Sequence, residues 1–223
     1  ETLYSYCEKV RELTLKDNFL VGRVIARPFT GSNGKYKLNN AGRKDYPVAP
    51  PSKTILDDLN ANNYNVIAIG KMNDIFSKTS INKTLKANSN MDAINKLTNV
   101  MDKKFTGLCM VNLCDFDSLY GHLRDVEGYA KAIEELDVEI PMILNKLEVD
   151  DLFIITADHG NDPTFKGNDH TRENVPLIFY CRNFKNPKRL EIQDTLAVIG
   201  ATIADNFEIT PPEIGTSILD ELE

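Results

Sequence analysis

All three histidines of this chain stand close to aspartates in the sequence. The three local sequences are DFDSLYGH (residues 115–122), TADHGND (156–162) and NDHTRE (168–173). Imidazole together with carboxylate suits Zn²⁺, Mn²⁺ or iron, and further oxygen ligands favour manganese or magnesium. Histidines placed only for packing would be scattered along the chain. The pattern therefore predicts a metal centre formed by these three segments.

The elements that precede these segments place them at one edge of a predicted sheet. Asp117 follows the apolar run 108–113, and Asp158 follows the apolar run 152–156. Functional groups in open α/β sheets gather beyond the carboxyl ends of the strands. His170 lies on the loop before the next predicted strand and can fold back over the same edge. We therefore expect three separate segments to converge on one site.

The rest of the sequence predicts an α/β fold with a largely parallel sheet, because short apolar strands alternate with amphipathic helices. The predicted strands are 20–26, 66–69, 108–113, 152–156 and 176–180. The predicted helices are 2–15, one capped by Ser52, 90–103, 123–147 with a bend at Pro141, and one from Asp194 to Phe207. Residues 28–52 are rich in glycine and proline, which predicts an irregular segment and a domain boundary near residue 50.

Composition excludes several classes of protein. Hydrophobic residues make up 42% and charged residues 26%, as in ordinary globular proteins. The net charge of −7 provides no basic field for nucleic acid. The apolar runs are too short to cross a bilayer, and no secretory signal is visible. The four cysteines form no C-x-x-C pair. We therefore expect a cytoplasmic protein without nucleic-acid or membrane partners.

The histidine-bearing segments also resemble a known family. TADHGN (156–161) resembles the signature of the alkaline phosphatase superfamily, which phosphopentomutases share with cofactor-independent phosphoglycerate mutases. The longer sequence TADHGNDPTFKGNDHTRENVP (156–176) is very similar to phosphopentomutase in particular. Three further segments resemble phosphopentomutase in the same order along the chain: VGRVIARPF (21–29), IGKMNDIF (69–76) and DFDSLYGH (115–122).

This resemblance implies a fold and an activity. The fold would be an alkaline-phosphatase-like α/β core, with a mostly parallel sheet and helices on both faces, plus the end of a small α/β cap domain. Residues 1–48 would be the C-terminal segment of the cap, and 49–223 the C-terminal half of the metal-binding catalytic core. Members of this family are isomerases that move phosphate between C1 and C5 of ribose or deoxyribose. They use a phosphothreonine and two divalent metals, usually Mn²⁺.

The resemblance also assigns metal ligands residue by residue. Asp117, His122 and His170 resemble the complete ligand set of one metal. Asp158 and His159 resemble two ligands of the other metal. Paired metals would stabilise the attacking and leaving oxygens of an in-line phosphoryl transfer.

Four further residues resemble groups that bind the pentose phosphate substrate: Arg23, Ile25, Lys71 and Arg43. A guanidinium group fits phosphate because it can donate two parallel hydrogen bonds. The sequence RKDY (43–46) departs from the family, which usually has histidine where Lys44 stands. The role of Arg27 stays open.

Two family motifs have no match in this chain: the phosphorylated threonine and the first metal-binding aspartate. We therefore expect the chain to be the C-terminal portion of a longer protein and to lack mutase activity alone. A separate N-terminal portion is then an expected partner. Two alternatives remain open. One is a metal-dependent phosphatase or phosphomutase of the same superfamily, and the other is a non-catalytic fragment that binds metal.

Overall fold

A computed structural model describes residues 1–14, 21–39 and 42–222. Its helices are α1 Thr2–Leu13, α2 Ile55–Ala61, α3 Met72–Ile75, α4 Asn90–Met101, the π-helix Phe116–Gly121, α5 Val126–Lys146, α6 Ala197–Asn206 and α7 Leu219–Leu222. Its strands are β1 Arg23–Ala26, β2 Phe29–Ser32, β3 Lys35–Leu38, β4 Lys44–Pro47, β5 Asn65–Ile69, β6 Lys83–Leu85, β7 Gly107–Val111, β8 Phe153–Thr156 and β9 Leu177–Tyr180. Within these residues, no helix combines the length and apolar character needed to cross a bilayer.

The chain divides into two compact units. The first comprises Glu1–Ser52 with Asn73–Thr79, and the second comprises Lys53–Met72 with Ser80–Glu223. The assignment of residues 1–48 to a cap domain stays a prediction.

The first unit contains strands where the sequence predicted an irregular segment. Strand β1 pairs antiparallel with β4, and β2 forms a hairpin with β3. The hairpin turns at Asn33 and Gly34, whose φ angles are +55° and +79°. An Asn-Gly pair at positive φ matches the twist of the flanking strands. The glycines and prolines of 28–52 therefore include residues that stand at turns between short strands, and the prediction of an irregular segment was wrong.

The second unit is built on a parallel three-stranded sheet in the order β6-β5-β7. Its register aligns Ile69 of β5 with Val111 of β7, so the carboxyl ends of the two strands lie side by side. Strand β5 is buried from Val66 onwards, and helix α4 packs against β5 and β7. This arrangement confirms the predicted α/β class. Strand β6 was not predicted, because the short sequence Lys83–Leu85 is mostly polar.

The last two strands depart from the parallel arrangement. Strand β8 pairs antiparallel with β9, and Phe153 stands opposite Tyr180. A parallel pair needs a crossover connection, which is usually a helix. The fully described connection 157–176 contains no helix. These residues are therefore free to form the loops that carry two of the histidines.

Three helices begin later than the sequence predicted, and one of them, α5, begins at Val126 and not at residue 123. The cap of α2 is Thr54 and not Ser52, and α6 begins at Ala197 and not directly after Asp194. The hydroxyl of Thr195 accepts a hydrogen bond from the backbone N–H of Ala197 at 3.2 Å. A threonine hydroxyl can satisfy a free N–H group in the first turn, so more than one residue near each start was a plausible cap.

Helix α2 starts with a capping arrangement that is anchored across the second unit. The Asp57 carboxylate accepts hydrogen bonds from the Thr54 backbone N–H at 2.7 Å and from the Thr54 hydroxyl at 2.9 Å. Its other oxygen accepts a hydrogen bond from the Ser80 hydroxyl at 2.5 Å. Partial burial raises the pKa of Asp57, but the hydrogen bonds from Ser80 and Thr54 outweigh it and lower the pKa below its ordinary value.

We predict that Asp57→Asn lowers the free energy of unfolding by about 1 kcal/mol at pH 7. Because the folded-state pKa of Asp57 is depressed, its contribution is present above the unfolded pKa of about 3.9 and is lost as the pH falls through the folded value. The difference between wild type and variant should therefore shrink below about pH 4. Urea denaturation at several pH values measures this. Asp58→Asn is the matched control, and an equal loss in both variants would contradict the capping role.

Candidate metal centre

Asp117 and His122 meet because the backbone after strand β7 forms a π-helix. The turn is closed by a hydrogen bond from the His122 backbone N–H to the Asp117 carbonyl oxygen at 2.9 Å. In an α-helix of about 3.6 residues per turn, residues five apart point to different faces. The wider turn brings both side chains to one side, with His122 Nε2 3.3 Å from Asp117 Oδ1. Such π-turns are frequent at functional sites.

The other two histidines reach the same carboxylate from the connection between β8 and β9. An isolated bridge between Gly160 and Thr171 brings the two ends of this connection together. As a result the rings of His159 and His170 stack with their centroids 3.6 Å apart. His170 Nε2 lies 3.1 Å from Asp117 Oδ1. One ligand atom each from Asp117, His159 and His170 lie within 4.8 Å of one another.

Two of the histidines have a defined ring nitrogen available for a metal. His122 Nδ1 lies 2.5 Å from the Asn168 carbonyl oxygen, and His159 Nδ1 lies 3.1 Å from the Gly160 carbonyl oxygen. A carbonyl only accepts hydrogen bonds, so Nδ1 must carry the proton in both contacts. Nε2 is then the ring nitrogen that remains for a metal. Metal-binding histidines are commonly oriented in this way, so the donor set fits a divalent metal.

Asn161 also holds the Asp117 carboxylate and was missed by the sequence reasoning. Its Nδ2 donates to Asp117 Oδ1 at 2.7 Å. The approach requires glycine at position 121, since a Cβ on Gly121 would lie 2.5 Å from Asn161 Nδ2. The only available signal was the position of Asn161, two residues after His159.

Asp158 stands at the margin of this cluster. Its side chain is 68% exposed, and its Oδ2 lies 3.7 Å from His159 Nε2. Asp158 and His159 also line an open cavity of about 1170 Å³. The structure thus groups His159 with Asp117 and His170, whereas the resemblance assigns His159 to a different metal. The assignment of the five ligands to two metals stays a prediction.

Three of the predicted substrate-binding residues lie together in the first unit, around Asp45. Arg43 Nε lies 2.9 Å and Arg23 Nη1 3.7 Å from the Asp45 carboxylate. Ile25 of β1 stands opposite Asp45 of β4. Two guanidinium groups thus share one carboxylate, which restricts their position. That they bind substrate stays a prediction.

Lys71 lies in the second unit, directly after strand β5. It lines a cavity of about 130 Å³ together with Cys114, Asp115 and Ser118. Burial raises the pKa of the Cys114 thiol, and the charge of Lys71 opposes this shift. Asp115 is already engaged, because its Oδ2 accepts a hydrogen bond from the Asn90 backbone N–H at 2.7 Å at the start of α4. Among the residues that line this cavity, Lys71 provides the positive charge.

Comparison with known protein families agrees with this geometry. A family model described as the Metalloenzyme superfamily matches residues 41–211. The match covers well over half of the chain, so the chain belongs to the Metalloenzyme superfamily. It includes Asp117 and all three histidines. Membership and the cluster of Asp117, His159 and His170 together fit a metal-dependent enzyme of the phosphomutase or phosphatase kind.

We predict that Asp117→Asn weakens Mn²⁺ binding by at least about 100-fold, because it removes the charged oxygen around which the imidazoles gather. Isothermal titration calorimetry with MnCl₂ measures this. Asp137→Asn removes the same charge from the exposed face of α5 and should bind as the wild type does. Equal affinity for the Asp117 variant and the wild type would show that the cluster is not the metal centre.

Proposed function

We propose that the chain is the metal-binding part of a phosphopentomutase. Such an enzyme interconverts the 1-phosphate and 5-phosphate of ribose or deoxyribose. The observation that carries the proposal is the convergence of Asp117 with His122, His159 and His170 at the carboxyl ends of β7 and β8. The family membership supports a phosphoryl-transfer enzyme. The segments similar to phosphopentomutase favour a pentose phosphate as the substrate.

In this proposal Asp117, His122 and His170 hold one Mn²⁺, and Asp158 and His159 contribute to a second. Bound Mn²⁺ would supply positive charge to the oxygens of the transferring phosphoryl group. Contacts between Nδ1 and backbone carbonyls orient the rings of His122 and His159. These contacts prepare the ligand atoms before any substrate binds.

The remaining assignments concern substrate binding. Lys71 is proposed to bind an anionic oxygen of the substrate, because it provides a cation in a small cavity beyond strand β5. Arg23 and Arg43 are proposed to bind phosphate, with Ile25 beside them in β1. The guanidinium groups are held in place by Asp45, so less side-chain entropy is lost when an anion binds.

The phosphothreonine and the remaining metal ligand have no match in this chain. We propose that a separate N-terminal portion of the same protein supplies them. The chain alone then binds metal and pentose phosphate but does not complete a turnover.

We predict that the Mn²⁺-loaded chain binds ribose 5-phosphate more tightly than p-nitrophenyl phosphate. Lys71→Ala should weaken that binding about tenfold, since a hydrogen bond to a charged group contributes about 1.5–3 kcal/mol. Calorimetric titration measures both ligands. Lys131→Ala, which removes an exposed cation from α5, is the matched control.

A coupled assay for conversion of ribose 5-phosphate into ribose 1-phosphate gives the second readout. The chain alone should show no turnover. Full turnover would contradict the proposal that the nucleophile lies elsewhere. Hydrolysis of p-nitrophenyl phosphate with no preference for the pentose phosphate would instead identify a phosphatase.

A further inference from the structure

Arg124 lies beside the metal centre and contacts both segments that form it. It lies three residues after the end of the π-helix, and its side chain is half-buried. The guanidinium group donates to the Gly121 carbonyl oxygen at 2.9 Å, on the side of the π-helix. It also donates to the Asp162 carbonyl oxygen at 2.9 Å and to the Asp169 carbonyl oxygen at 2.6 Å, in the segment that precedes His170. Its Nε donates to the Gly167 carbonyl oxygen.

These contacts hold the segment Asp162–Asp169, which we call the histidine loop because His170 follows it. Residues 164–169 are exposed, so burial of their side chains contributes little to fixing the loop. The backbone of the loop instead receives hydrogen bonds from Arg124 at Asp162, Gly167 and Asp169. The position of His170 therefore depends on a side chain that belongs to a different segment.

Arg124 also acts on Asp117 through Asn161. Arg124 Nη1 donates to Asn161 Oδ1 at 2.7 Å, and Asn161 Nδ2 donates to Asp117 Oδ1 at 2.7 Å. Because a guanidinium group can only donate, it fixes the amide orientation in which Asn161 Nδ2 faces the carboxylate. A lysine could offer charge at this position but not the planar set of five N–H donors.

The backbone of Arg124 adopts a conformation that is uncommon for residues other than glycine. Its φ angle is +57°, in the left-handed region that few residues other than glycine adopt. Backbone strain of this kind persists where surrounding contacts fix it, and it is concentrated at functional sites. Here the side-chain contacts of Arg124 compensate for the strained backbone.

We propose that Arg124 is a positioning residue of the metal centre, which fixes the histidine loop and the Asp117 carboxylate in the arrangement that binds a divalent metal. This inference rests on the proposed metal site. Arg124 is not among the assigned metal ligands, and it acts through Asn161 and through the backbone carbonyls of the loop that precedes His170.

The test measures Mn²⁺ affinity and loop protection separately. Arg124→Met and Arg124→Lys should both weaken Mn²⁺ binding by about 10- to 100-fold, as is common when a group that orients metal ligands is removed. The matched control is Arg182→Met. Arg182 likewise donates to two backbone carbonyls, those of Leu144 and Asn145, but on a different part of the unit. Its variant should bind Mn²⁺ as the wild type does.

Cleavage by trypsin at Lys166 reports on the histidine loop without any metal. In metal-free protein, Arg124→Met should be cleaved at Lys166 several-fold faster than wild type or Arg182→Met. The variant Asn161→Ala should weaken Mn²⁺ binding without faster cleavage at Lys166. In the double variant the losses in affinity should not add, because both residues act on Asp117 through one chain of hydrogen bonds.

The outcomes separate this inference from the proposed function. Wild-type Mn²⁺ affinity in both Arg124 variants, or fully additive losses with Asn161→Ala, would overturn the positioning role. Failure of the wild type to bind Mn²⁺ would overturn the proposed metal site. Faster cleavage of Arg124→Met at Lys166 would in that case still support the conclusion that Arg124 fixes the histidine loop. If Arg124→Met does not fold, the test rests on Arg124→Lys. Rescue of full affinity by lysine would contradict the need for a guanidinium group.

Discussion

The metal centre depends on one carboxylate oxygen, Asp117 Oδ1. His170 Nε2 and His122 Nε2 lie 3.1 Å and 3.3 Å from it, and Asn161 Nδ2 donates to it at 2.7 Å. A carboxylate oxygen can contact several partners at once because it carries negative charge and accepts hydrogen bonds without donating any. The π-helix supplies Asp117 and His122, while the connection between β8 and β9 supplies the other groups. These two segments form one site because both approach this oxygen.

The site is held mainly by hydrogen bonds, whereas the sheet beneath it is held by burial. Strand β5 is buried from Val66 to Ile69, and its apolar residues pack against α4. The histidine loop is largely exposed and is fixed by Arg124. Segments with few buried contacts open more easily than the core. The β6-β5-β7 sheet is therefore fixed by apolar packing, whereas the arrangement of the metal-binding segments depends on a few polar contacts.

The sequence was sufficient to predict the convergence of the histidine segments. Asp117 follows β7, and Asp158 and His159 follow β8, as the apolar runs indicated. The α/β class was also predictable, because the strands and helices of the second unit are marked by local apolar periodicity. The sequence analysis expected these strands at one edge of a single sheet, whereas β7 and β8 belong to different sheets and their segments meet through the residues that follow each strand.

Other features depend on contacts between distant residues, which local patterns do not encode. The π-helix needs one extra residue per turn, and nothing in the sequence 116–121 distinguishes it from an α-helix. Arginine and asparagine are common at protein surfaces, so nothing in the local sequence marks Arg124 and Asn161. Their role becomes visible only when the two segments meet. The antiparallel pairing of β8 with β9 was not predicted, although the sequence already indicated a loop and no helix between these two strands.

The most direct test of the metal centre is anomalous diffraction from crystals of the chain grown with Mn²⁺. The account predicts a manganese peak within about 2.3 Å of an Asp117 carboxylate oxygen and of Nε2 atoms of the histidines around it. His122 Nδ1 should still donate to the Asn168 carbonyl oxygen. Manganese bound only elsewhere, with the Asp117 carboxylate and the histidine Nε2 atoms unligated, would contradict it.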